Sequence, residues 1–147
     1  MSSVFSLIID GRIPGNFAWA DDVCVAFATI QPITPGHMLV VPRAEVAHFT
    51  DLDDDVLAHL AVVAKRVGQA QRRAFDAPRA ALIVAGFEVP HTHIHVLPAW
   101  DEGAIAFANA RPASPETLAE TTEQVRAALR GLGYGGHVPA ALGSPAL

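Results

Sequence analysis

The chain has one cysteine, Cys24, in 147 residues. It can close no internal disulfide and build no cysteine-rich zinc motif, and it suits a reducing compartment. Lysine is as scarce: Lys65 stands alone, and ten basic residues face fifteen acidic ones for a formal charge of −5. No basic stripe exists to track a phosphate backbone, which excludes nucleic acid as a main partner. Long apolar runs are missing too. No stretch nears the ~18 to 20 residues of a membrane span, and the opening MSSVFSLIIDGR lacks the basic region of a secretory leader. A cytoplasmic chain with no membrane partner is therefore expected. What the chain does have is core material: 51% of residues are hydrophobic and 17% charged, enough to exclude general disorder. Its length argues for one domain. Cys24, inside the run VCVAFATI, reads as packed core rather than as a nucleophile.

Punctuation by proline and glycine divides the chain. Ser3 is a candidate cap, Val4, Leu7 and Ile8 recur at helical spacing, and Gly11 stops the pattern, which predicts a short helix over 3–10. An extended stretch 17–20, a turn at Asp21-Asp22 and the β-rich run 23–30 read as a hairpin. After the breakers Pro32, Pro35 and Gly36, residues 37–41 predict a third strand ended by Pro42. A long helix over 53–75 opens with three aspartates and carries apolar residues at helical spacing. Two more strands, 80–85 and 92–97, are separated by residues 86–90, and Pro98 ends the second. A last helix runs from Pro115 to the stop at Gly131. Residues 1–135 form the domain and 136–147 a tail. The order predicts an α+β fold with a mainly antiparallel sheet.

One segment carries chemistry. His91, His93 and His95 are three of the seven histidines in the chain, spaced two apart where a strand is expected. Alternate residues of a strand share a face, so the three imidazoles line one side. A buried polar ladder would need a partner for every ring. A metal is a second reading, weakened by geometry: at about 3.4 Å per residue, the Cα atoms of His91 and His95 lie ~13 to 14 Å apart, too far for one ion with bonds of about 2.0 to 2.1 Å. A His-x-His pair joined by His37 remains possible. The third reading is nucleophilic catalysis. A neutral imidazole nitrogen attacks phosphorus while a neighbour, protonated near the ordinary pKa of about 6.5, donates.

His91-Thr-His93-Ile-His95-Val-Leu matches the pattern His-φ-His-φ-His-φ-φ and, with Asp22-Val-Cys-Val-Ala-Phe27, Pro35-Gly-His37-x-Leu-Val-Val-Pro42 and Ala85-Gly86, resembles the histidine triad family in its Hint-like branch. The resemblance implies a homodimer of α+β subunits, each with a five-stranded antiparallel sheet, one long helix and a C-terminal helix. It implies a nucleotide substrate, a nucleoside phosphoramidate or related phosphoanhydride, and no metal or other cofactor. By resemblance His93 is the nucleophile, His95 contacts phosphate and leaving group, and His91 and His37 support them. Phe5, Ile8, Phe27 and Ile30 correspond to the apolar residues that clasp base and ribose, although ordinary core explains them equally.

The chain also departs from that pattern. Thr29 stands where the family usually has an aspartate for the ribose hydroxyls, which removes charge-assisted hydrogen bonds. The stretch around Gly86 lacks the usual Asn and Gln, Glu45 replaces a histidine, and Glu88 replaces a small hydroxyl residue near the phosphate. A carboxylate facing that site would raise the pKa of neighbouring histidines. These departures keep two alternatives open: a nucleotide-binding or interaction protein with little turnover, and a zinc site on the same histidines. His48, His59 and His137 are expected on surfaces or helix faces.

Overall fold

The computed structural model describes residues 2–147. The chain forms helix α1 (Val4–Ile9), strands β1 (Phe17–Ala20), β2 (Cys24–Ala28) and β3 (Met38–Pro42), helix α2 (Asp54–Phe75), strands β4 (Arg79–Val84) and β5 (Ile94–Ala99), and helix α3 (Pro115–Gly131). The strands make one antiparallel sheet in the order β1-β2-β3-β5-β4. This is the α+β architecture expected from the sequence. No helix among the described residues is long and apolar enough to cross a membrane.

Alternation along the strands splits the core in two. Cys24, Ala26, Met38, Val40, Ile94 and Val96 face α2, where Leu60, Val63, Val67 and Ala70 supply the helical stripe. Fully burying each of these aliphatic side chains is worth about 1.5 to 3 kcal/mol. Asp54 and Asp55 in the first turn of α2 and Arg72 and Arg73 in its last complement the helix dipole. On the opposite face Phe17, Val25, Phe27, Leu39 and Val41 pack with Phe5 of α1. Cys24 is wholly buried, as expected, and burial followed by the adjacent Asp21 carboxylate pushes its thiol pKa up.

The strand boundaries correct the sequence reading at one proline. Pro98 lies inside β5, with Ala99 after it, while Pro42 is the last residue of β3, as expected. The β3–β5 ladder is short, pairing only Met38 with Val96, Leu39 with His95 and Val40 with Ile94. A strand residue points its N and O to the same side. The Pro42 carbonyl accepts from His91 Nε2 and the Pro98 carbonyl from Thr34 Oγ1, so both ring nitrogens face the gap where β3 and β5 splay apart. No ladder N–H is demanded there. The same splaying starts β5 at Ile94, which leaves His91 and His93 before the strand.

Gly36 precedes His37 with φ of +85°, a conformation that favours glycine, and a Cβ there would overlap the Phe75 ring. Residues 136–147 are no loose tail. Val138 is buried, the Leu142 carbonyl accepts from Phe17 N–H at 2.7 Å, and buried Arg126 donates to the carbonyls of Phe17 and Pro139 at 2.7 and 2.8 Å.

Candidate active site

His37, at the mouth of β3, and His95, on β5, lie on the sheet face opposite α2, and the hydrogen-bond partners around the histidines determine which ring nitrogens carry protons. Ile33 N–H donates to His37 Nδ1 at 3.0 Å, so the proton of neutral His37 is on Nε2. That Nε2–H donates to His95 Nδ1 at 3.0 Å, which places the proton of His95 on its own Nε2. Separately, His93 Nδ1 lies 2.7 Å from the His91 carbonyl, which can only accept. His93 therefore carries Nδ1–H and keeps a lone pair on Nε2. His91 Nε2–H donates to the Pro42 carbonyl at 2.7 Å, leaving Nδ1 to accept from Ser3 Oγ at 2.6 Å.

The His93 and His95 rings stand with centroids 4.9 Å apart. One presents an unshared electron pair and the other an N–H. Burial, with the charge of His95 adding to it, pushes the His37 pKa down to about 3. Burial and then His93 push His95 down to about 4. His93 is lowered by burial, partly offset by its bond to the His91 carbonyl and reinforced by the charge of His91. The lowered pKa values favour two neutral rings over the expected neutral and protonated pair, and the His95 Nε2–H is then the donor.

The remaining expected residues divide. Phe5 is buried and packs edge-on against His93 at 4.8 Å and Phe27 at 5.6 Å, with half-buried Ile8 beside them. Phe27 is core on the same face. Ile30 is 71% exposed, and Thr29 is half-buried with its hydroxyl accepting from Gln31 N–H. Gly86 takes φ of +82° in the loop before His91. Glu88 on that loop is exposed, beside Phe87 at 96% exposure. Phe107 and Ser3 were not anticipated at the site. Phe107 packs its ring against His95 at 4.9 Å from a segment tied to the 29–33 loop by Arg111 N–H to Pro32 O and Ala113 N–H to Ile30 O. Its stretch, GAIAFANARP, has no periodicity to flag it.

Among the described residues, the grouping with three donor atoms within 4.8 Å is Asp21, Cys24 and His59, not the triad. Asp21 Oδ2 there already accepts from Trp19 Nε1 at 2.8 Å and pairs with His59 Nε2 at 2.7 Å, while Oδ1 accepts the backbone N–H of Val23 and Cys24. Against the upward pull of burial, these bonds hold its carboxyl at about 2. It is a hydrogen-bonded corner closing the β1–β2 turn. His59 is therefore a partner of Asp21, and His137 stacks on Trp19 at 4.5 Å, while His48 is exposed.

Comparison with known proteins agrees with this geometry. An uncharacterized HIT-like protein of Saccharolobus solfataricus is 34% identical over 104 residues, 67% of this chain and 75% of that protein. The Arabidopsis thaliana bifunctional bis(5'-adenosyl)-triphosphatase/adenylylsulfatase FHIT is 36% identical over 90 residues, 58% of this chain and 50% of its own. A zinc-bound histidine triad family protein of Mycobacterium smegmatis superposes with a TM-score of 0.79 at 28% identity, covering 92% of this chain and 98% of that one. The HIT domain profile matches residues 10–102, and with the triad geometry above it makes this chain a member of the HIT family.

Proposed function

We propose that the protein is a nucleotide hydrolase or nucleotidyl transferase that works through a nucleotidyl-His93 intermediate on nucleoside phosphoramidates or related phosphoanhydrides. The observation that carries this is the unshared pair on His93 Nε2 beside the His95 Nε2–H, each ordered by a hydrogen bond at the other ring nitrogen. In the first step His93 Nε2 forms a bond to the α-phosphorus as the bond to the leaving group breaks; the leaving group takes the electron pair, and the amine of a phosphoramidate also takes a proton from solvent and departs neutral. His95 Nε2–H faces the charge that builds there or on a phosphoryl oxygen. His93 becomes cationic, and its Nδ1–H strengthens its bond to the His91 carbonyl. In the second step water or another acceptor bonds to phosphorus, the P–N bond breaks, Nε2 recovers its pair, and the acceptor's proton passes to solvent. The FHIT of Arabidopsis, by its name a triphosphatase on an adenylyl substrate, supports the substrate class.

The test is rapid acid-free trapping with a nucleoside phosphoramidate, read by intact mass. Wild type is expected to gain one nucleotidyl group. His93→Ala should gain none, turn over less than a few per cent as fast, and keep nucleotide affinity within about tenfold, because a nucleophile acts mainly on the transition state. An adduct on His93→Ala, or retained turnover, would overturn the assignment. The same reading includes a second copy of the chain: β4 is an open edge with Leu82 53% exposed, suited to antiparallel pairing about a twofold axis. Sedimentation at micromolar concentration should give twice 15.5 kDa, and a monomer alone would refute the pairing.

A further inference from the structure

Helix α1 has six residues, too few to hold together by its own backbone bonds. Three side chains fasten it. Glu45, in the loop after β3, accepts Ser3 N–H at 2.6 Å and Ser6 Oγ–H at 2.7 Å with the same oxygen. Ser3 Oγ caps the helix by accepting Ser6 N–H at 3.1 Å. Its own proton is then directed to His91 Nδ1 at 2.6 Å, because His91 has given its proton to the Pro42 carbonyl.

We infer that Glu45 and Ser3 are positioning residues for the nucleophile, coupling the seat of α1 to the orientation of His91 and, through the His91 carbonyl, to that of His93. The inference rests on the function proposed above. His91 is wholly buried and held at both ring nitrogens, by α1 on one side and β3 on the other. Its carbonyl is the group that keeps the proton of His93 on Nδ1 and so leaves Nε2 free. Phe5, two residues along from Ser3, packs on both His91 and His93, at 5.9 and 4.8 Å. Undocking the first turn of α1 therefore removes a hydrogen bond from one histidine and a packed ring from both. Glu45 is exposed, yet its bonds, first the one from Ser3 N–H, hold its carboxyl below the usual glutamate value. It stays charged wherever the enzyme would work.

The variants are Glu45→Ala, Glu45→Gln and Ser3→Ala, each read in two ways. The first readout is the ¹⁵N imidazole spectrum of the free protein, which needs no substrate. Ser3→Ala should remove the hydrogen bond to His91 Nδ1 and move that nitrogen's shift toward the value of an unbonded acceptor, while Nε2 stays protonated against the Pro42 carbonyl, and Glu45→Ala should do the same to a lesser degree. The second is steady-state turnover of a nucleoside phosphoramidate. Partners one step behind a reacting group are typically worth about 10 to 100-fold. Glu45→Ala should therefore lower kcat about tenfold with KM within about threefold. Glu45→Gln, whose amide oxygen accepts the same two bonds, should restore kcat to within about twofold of wild type. Unchanged histidine shifts in both Ser3→Ala and Glu45→Ala would overturn the positioning role. So would a Glu45→Gln variant no better than Glu45→Ala. A wild type that forms no nucleotidyl adduct would instead refute the proposed function, and the spectra would still decide the coupling.

Discussion

The two faces of the sheet are made by the same strands and do opposite things. Toward α2, Met38, Val40, Ile94 and Val96 meet a 22-residue helix with an apolar stripe, joined by buried Gln71, whose Nε2 donates to the Val96 carbonyl. Toward the other side, their immediate neighbours His37, Leu39 and His95 meet a six-residue helix and loops. One residue's shift along a strand moves a side chain from one regime to the other. Stability and chemistry are thus separated by the pleat, and the face with less covering holds the groups that must meet a ligand.

The sharpest way to break that separation is a crossed pair of substitutions. Leu60→Ala on the α2 face should cost about 2 to 5 kcal/mol of unfolding free energy, as for other buried leucines, while turnover of the folded fraction in the cold stays near wild type. His93→Ala should do the reverse, abolishing turnover with little change in denaturation midpoint. Denaturant titration and kinetics on both variants decide it, and a Leu60→Ala protein that is fully stable but slow would mean the faces are not separate.

Acid separates the faces next. His37 and His95 have pKa values pushed well below 6.5 in the folded chain, to about 3 and about 4, and His93 is lowered too. In the unfolded chain they bind protons near 6.5, so between that value and their folded values the unfolded state holds more protons. Their contribution to stability is complete above pH 6.5 and declines as pH falls toward 4. Activity should keep its value as pH falls through 6.5, since His93 stays neutral, and decline only below it. An acid limb of kcat/KM at 6.5 or higher would show that the rings titrate as solvated groups.

The smallest effect is expected at Glu88. Its side chain is exposed, so Glu88→Ser should leave both rate and pH profile unchanged within about twofold. A faster variant with its acid limb moved downward would place the carboxylate in the site after all.

The triad, the long helix and the succession of strands along the chain were legible because periodicity and proline punctuation carry them. His91, His93 and His95 stood out through residue type and spacing alone. What escaped depends on pairing partners far away in the chain. Pro98 looked like a strand end, since nothing local says that β5 carries on past it beside β4. The last twelve residues looked loose because their anchors are the Arg126 side chain and the Phe17 N–H. Ser3 was visible as a cap, but its second bond, 88 positions away at His91, was not. Thr29, whose hydroxyl accepts from Gln31 N–H, shows the converse limit: correspondence by position does not say which way a side chain turns.

The anchoring of the last residues also bears on how the sheet can grow. Phe17 on β1 spends its N–H on Leu142 and its carbonyl on Arg126, so the outward groups at that point of the edge are already taken. An incoming strand would have to displace both. The β4 edge offers itself without such a cost. A sheet capped on one side and free on the other can recruit one neighbour through its free edge, and the pair then has only capped edges left. If the proposed pair forms through β4, growth would stop at two, with the C-terminal segment serving as a terminator against open-ended polymerisation.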